Sequence, residues 1–174
     1  MAVTAALAAI PAGAGASSSC PGANLRPTGV NAAAIDAATL CLIAQIRLAH
    51  RLPPLRSNAT LGTVAASQVS SMVRRNYFAD VRPTGQTPMS LVGITTYKAH
   101  SAKIAVGQNI AWGNGGLASP ARIVAAWMAS PPHRAIMLSR EYRDAGAGVT
   151  PQLPSVLHAG RHGAVYAIEF GARV

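Results

Sequence analysis

Trp127-Met128-Ala129-Ser130-Pro131-Pro132-His133-Arg134 is the stretch on which the reading of this chain turns. Ser130 is an N-cap residue type followed by proline at the first helical position, so one helix ends at Ala129 and a short new one opens with His133 near its start. Ser119-Pro120 is the same device upstream and opens the helix that runs through Ala129. Before it, Ile104 to Trp112 is rich in β-branched and apolar residues and reads as a strand, closed by the flexible Gly113-Asn114-Gly115-Gly116 loop. Downstream, Ala145 to Thr150 and Ala164 to Gly171 read as two strands. In the second, Tyr166, Ile168 and Phe170 alternate with Val165, Ala167 and Glu169. A polar, proline-containing loop with His158 and His162 separates them.

Toward the N-terminus, Asn31 is a good N-cap for a helix reaching about His50. Ile35, Ala38, Leu42, Ile46 and Ala49 draw one apolar stripe along it before Leu52-Pro53-Pro54-Leu55 stops it. A second helix is expected from Ser57 to about Asn76, with Leu61, Val64, Ala65, Val69, Met72 and Val73 on its buried face. Tyr77 to Gln86 reads as a loop, and Thr87-Pro88 caps a short helix to about Val92. Helices, a strand, helices and two strands suit an antiparallel sheet covered by helices, an α+β fold.

The length of 174 residues fits one domain with a real core, built from aliphatic residues because aromatics make up only 5%. The formal charge of +10 comes from 15 basic against 5 acidic residues and favours anionic partners. All but Lys98 and Lys103 of the basic residues are Arg; with the abundant Ala, Gly and Pro, that skew is the mark of a GC-rich coding sequence, so charge alone says little. The Arg residues are scattered, Arg74 and Arg75 being the one tight pair, and no series of aromatic stacking residues accompanies them, which argues against nucleic acid.

Residues 1–16 are small and apolar and end in Ala14-Gly15-Ala16, the Ala-x-Ala form of a signal-peptidase site, although no Lys or Arg precedes them. They read as a signal-peptide remnant, or alternatively as an Ala-rich tail. Interrupted by Pro11, Gly13 and Gly15, the run is too short to span a bilayer, and no transmembrane anchor is expected. Residues 17–30 read as an extended arm and 31–174 as the domain. Cys20 and Cys41 are expected to form a disulfide if the chain is exported, or to stay as buried thiols if it is cytosolic.

Taken in order, several segments resemble one family. Leu40-Cys41-Leu42-Ile43-Ala44-Gln45-Ile46-Arg47 with Leu52-Pro53-Pro54-Leu55 looks like the opening helix of the bacterial branch of the CAP superfamily, the SCP-like extracellular domain. Tyr77-Phe78-Ala79-Asp80, with Pro83, Gly85 and Pro88 behind it, resembles that branch's Phe-x-His loop, and Gly107-Gln108-Asn109-Ile110-Ala111 its Gly-Glu-Asn strand. The stretch from Trp127 to Arg134 resembles its Trp-x-x-Ser-Pro-x-His-Arg junction. Gly146-Ala147-Gly148-Val149 and the strand from Tyr166 to Gly171 complete the match, which runs from about residue 40 to 171. The resemblance implies a three-layer α-β-α sandwich around a small central antiparallel sheet, an extracellular location, and a cleft holding two His and two acidic residues. Here Asp80 replaces the first His, Gln108 replaces the strand Glu, Ser130 takes the place of the second acid, and His133 survives. Asn109 and Arg134 flank these positions.

Asp80, Gln108 and His133 offer too few good ligands for zinc, so neither a tightly held metal nor another cofactor is expected. Gln108 cannot titrate, which removes one carboxylate from acid–base work, while Asp80 could still orient His133. Ser130 is expected to commit its hydroxyl to a helix N–H, with a Ser-His-Asp arrangement the competing reading. His133 is either a helix-start residue bonded to nearby backbone or a cleft ligand. Gln108 and Asn109 are expected to satisfy buried backbone groups. His50, His100, His158 and His162 read as surface residues, and Trp112 and Trp127 as core. The expected function is that of a secreted, monomeric, non-catalytic module binding a lipid, peptide or anionic wall component. A weak hydrolase using His133 with Asp80 is the alternative.

Overall fold

The structure, a computed structural model, describes residues 19–99, 101–159 and 162–173, so the leader and His100 lie outside the described residues. The helices are α1 (Ala32–Ala49), α2 (Ala59–Arg74), α3 (Pro88–Gly93), α4 (Pro120–Ala129) and α5 (Pro131–Met137). The strands are β1 (Arg56–Ser57), β2 (Ile104–Asn114), β3 (Asp144–Thr150) and β4 (Gly163–Arg173). The expected glycine loop after β2 is shorter than the sequence suggested: the strand keeps Gly113 and Asn114, and Gly115–Ala118 winds into a 3-10 turn.

The sheet order is β1-β3-β4-β2. β4 pairs antiparallel with β2 on one side and with β3 on the other, but β1 runs parallel to β3, so the sheet is mixed and not purely antiparallel. The exception is two residues long, fastened by Arg56 N–H to Arg143 O and Asn58 N–H to Ala145 O at 2.9 Å each. That pairing takes Ser57, the expected helix start, into the sheet. Asn58 then caps α2, its side chain accepting from Leu61 N–H at 3.1 Å.

Alternation along β4 divides the core into two layers. Tyr166, Ile168 and Phe170 pack with Ile35 and Ile43 of α1, Trp127 of α4 and Met137 of α5. Val165 and Ala167 point the other way, onto Ala65, Val69 and Met72 of α2. Helices on both faces of one sheet bury its two sides, as the alternating strand pattern requires. Trp127 is 1% exposed and its Nε1–H donates to Ile110 O at 3.0 Å, but Trp112, expected in the core, is 38% exposed.

The Gly146-Ala147-Gly148 run explains how closely α2 lies on the sheet. A Cβ at Gly146 would stand 2.0 Å from Gly62 N, and one at Gly148 2.4 Å from Ala66 N. Helix backbone therefore rests directly on strand backbone. On the opposite layer Arg47 is fully buried. Its Nε donates to Pro53 O at 3.0 Å and its Nη1 to Met137 O at 2.7 Å and Ser139 O at 2.9 Å. The cation meets the carbonyl end of α5, where the helix dipole favours positive charge, and joins the ends of α1 and α5.

Cys20 and Cys41 form a disulfide that ties the arm to α1, and Ala121 N–H to Ala23 O at 2.8 Å holds the arm to α4. Asn31 precedes α1 as expected, yet its side chain orders the arm instead of capping the helix. It accepts from Thr28 N–H at 2.7 Å and donates to Arg26 O at 3.0 Å. Among the described residues α1 is the one helix long and apolar enough to cross a membrane; here Ile35, Ala38, Ile43 and Arg47 turn one face of it into the core.

Candidate functional site

Gln108 of β2 and Glu169 of β4 are register partners, so their side chains leave the sheet on the same face, the one covered by α2. The Gln108 amide Nε2–H donates to Glu169 Oε1. Glu169 is fully buried and Gln108 is 7% exposed. Burial pushes the Glu169 carboxyl up to about 7; the Gln108 bond opposes the rise, nearby Asp80 adds to it, and Arg82 opposes it. Gln108 Oε1 and Glu169 Oε2 are buried and have no partner among the described residues.

Above this pair, α2 holds the loop after it through one side chain. Gln68 is fully buried, and its Nε2 donates to Ala79 O at 3.0 Å and to Asp80 O at 3.2 Å. Its Oε1 accepts from Arg82 Nε at 2.9 Å, and Arg82 Nη2 donates to Ser67 Oγ at 2.9 Å. Asp80 is thereby placed at the solvent end of the site. Its carboxyl is raised by partial burial and pulled back down by the charge of His133, so the two side chains lie within electrostatic reach.

His133 enters from the opposite side, on α5. Asn109, fully buried, donates from Nδ2 to His133 O at 3.1 Å and fixes the backbone there. Because it follows Gln108 in the strand, Asn109 leaves the other face of the sheet and supports the site from behind. The expected cap at Ser130 is not made: its hydroxyl lies 2.8 Å from His133 Nδ1 and bonds no helix N–H. His133 occupies the third helical position, where its ring captures the hydroxyl that the backbone would otherwise use. Arg134 turns away, Nη1 reaching Met128 O at 3.4 Å at the end of α4.

The structure thus brings Asp80 within electrostatic reach of both His133 and the Gln108–Glu169 pair, sets Ser130 against His133, leaves Asn109 and Arg134 as supports, and adds Gln68, Arg82 and Glu169. Polarity is graded: Asp80 is exposed, Ser130, His133 and Arg82 are half-buried, and Gln108 and Glu169 are buried. The expectation that Gln108 leaves this place short of a titrating acid is corrected by Glu169, which supplies a carboxyl from the neighbouring strand. Its one outward signal was its position: Glu169 continues the Val165, Ala167 face, which is otherwise apolar. A carboxyl near 7 is chemically able to exchange protons at neutral pH. Among the described residues no three His, Cys, Asp or Glu side chains are grouped to hold a metal ion.

The model of the cysteine-rich secretory protein family, CAP, matches residues 40–152. The chain belongs to the CAP family. Over 100 residues, 56% of this chain, the CAP domain is 32% identical to the uncharacterized protein YkwD of Bacillus subtilis, and it spans 35% of that relative's length. Two solved structures share the fold. An outer surface protein of Borrelia burgdorferi superposes with a TM-score of 0.63 at 19% identity, covering 78% of this chain and 90% of that one. An extracellular protein containing a SCP domain from Bacillus anthracis also superposes with a TM-score of 0.63, at 22% identity, covering 80% of this chain and 40% of that one.

Proposed function

We propose that this CAP domain is exported and acts as a non-catalytic binding module, the polar residues around Asp80, Gln108 and His133 taking the hydrogen-bonding part of a lipid, a peptide or an anionic wall component. The observation that carries the reading is the Gln108–Glu169 pair: two polar atoms, Gln108 Oε1 and Glu169 Oε2, are buried without a partner among the described residues. Buried acceptors without partners cost on the order of 1–3 kcal/mol each, and a ligand donor would recover that loss. Export is supported by the Cys20–Cys41 disulfide, a bond that persists in oxidising compartments, and by the neighbours described as extracellular and outer surface proteins. The charge of +10 favours an acidic surface as the place where the domain works.

Equilibrium binding to wall fragments, anionic vesicles and peptides, each at two salt concentrations, tests the proposal. Binding to one class that falls about tenfold in Gln108→Leu or His133→Ala supports it. Binding that depends only on salt, and is indifferent to both changes, would place recognition on the surface charge alone. A second reading, a weak hydrolase, draws on the 2.8 Å contact between Ser130 Oγ and His133 Nδ1 and on the charge of His133 felt at Asp80. Turnover of casein or wall peptide that disappears in both Ser130→Ala and His133→Ala would favour this reading over the binding module.

A further inference from the structure

The loop that carries Asp80 also walls a depression between α2 and α3, with a volume of about 330 Å3. Its floor is apolar: Val64 is 6% exposed and Leu91 7%, while Ile94 stands at the lip, 79% exposed. Arg82 forms one polar wall, with Ser67 and Gln86 beside it. The guanidinium is held at two points, Nε on Gln68 Oε1 and Nη2 on Ser67 Oγ, and Gln68 is itself fully buried. Among the described residues the one ion pair is Arg56 with Asp144, so no carboxylate lies within 4.0 Å of Arg82. A fixed guanidinium with no carboxylate in ion-pair contact, above a small apolar floor, is complementary to a carboxylate attached to one apolar group.

We infer that this groove binds the C-terminal residue of a peptide, its α-carboxylate on Arg82 and its apolar side chain between Val64, Leu91 and Ile94. The size favours a single residue. At the lower end of ligand pockets, which run from roughly 300 to 1,000 Å3, the space suits one large aliphatic or aromatic amino acid better than a long acyl chain. Capture of a terminal carboxylate is a recurring mode of peptide recognition, and the basic surface draws acidic ends toward it. The inference goes beyond the Asp80–His133 site and does not need it. Gln68 holds the loop for both, but no side chain of the Ser130–His133 contact lines the groove.

Fluorescence anisotropy of the full chain with a short N-terminally labelled peptide ending in leucine tests it. The free acid should bind, and the same peptide amidated at its C-terminus should bind about tenfold more weakly, because the charge-assisted bonds to Arg82 are lost. Arg82→Gln should weaken binding similarly. Ile94→Asp, a change at a solvent-exposed side chain, should abolish binding by placing a negative charge at the lip. Equal affinity for acid and amide, no binding at millimolar peptide, or unchanged binding by Ile94→Asp would overturn the inference. Octanoate that binds as tightly as the peptide acid would overturn the peptide assignment in favour of a small fatty acid.

Discussion

Glu169 and Gln108 face each other across the β2–β4 ladder, the amide of one donating to the carboxyl of the other on the α2 side of the sheet. A carboxyl raised from 4.5 to about 7 ties folding to pH. The folded state holds its proton where the unfolded state gives it up. The contribution is therefore complete below about 4.5 and is lost as pH rises through about 7. Glu169→Gln should erase that slope and leave the protein more stable at pH 8 by up to about 3 kcal/mol, read from urea unfolding at about pH 4.5 and pH 8. Parallel pH profiles for the two proteins would show that the carboxyl does not titrate in this range.

Gln68→Leu removes three hydrogen bonds in a single change, two to the Ala79 and Asp80 carbonyls and one from Arg82. Because the freed loop groups regain water, the expected loss is about 1–3 kcal/mol. Amide exchange should accelerate in residues 79–82 and stay slow in β4. Uniform acceleration across the chain would instead mean that the substitution acts on the whole fold.

Gly146→Ala puts a methyl group into the backbone of α2 at Gly62. Neither helix nor strand backbone has a flexible end to yield, so destabilisation of about 3 kcal/mol or more is expected. Gly93→Ala, with nothing within 4 Å of its added Cβ, is the matched control. Similar melting temperatures for the two variants would contradict the close approach.

Asp36 on α1 is half-buried, its Oδ1 has no partner among the described residues, and burial raises its carboxyl to about 6. The stability it contributes is present below about 3.8 and lost as pH rises through about 6. Asp36→Asn should therefore stabilise the domain at about pH 7.5 by about 1 kcal/mol, a modest gain because solvent still reaches the group. Calorimetry on either side of that titration measures the difference.

Reducing the Cys20–Cys41 bond opens a loop of sequence separation 21 and should cost about 3 kcal/mol. The loss should appear as a lower melting temperature with reductant and be reproduced by Cys20→Ser with Cys41→Ser. A reductant effect that persists in the double variant would trace to something other than this bond.

Element boundaries were legible wherever a residue pair states its own geometry. Thr87-Pro88, Ser119-Pro120 and Ser130-Pro131 each open a helix, and alternation in β4 separates its two faces. Side-chain roles were legible only where the partner lies nearby in the chain. Nothing local in the sequence sets Arg47 apart from the other cations, because Met137 and Ser139 come to it only in the fold, and nothing local marks Gln68, whose partners lie in the loop that folds over it. The pair β1–β3 is too short for any periodicity to announce it. Ser130 shows the converse limit: the cap signal was right about where the helix starts, while the hydroxyl went to an imidazole three residues on. The partner of Gln108 was hidden for a related reason, since register between β2 and β4 is a property of two strands and not of either alone.

Gln68 grips carbonyl oxygens at positions 79 and 80, groups that every amino acid carries. The socket is therefore indifferent to which side chain it presents, so an aspartate can stand where the family resemblance leads one to expect histidine without the loop changing its path. Chemistry at that rim can change while its address stays fixed.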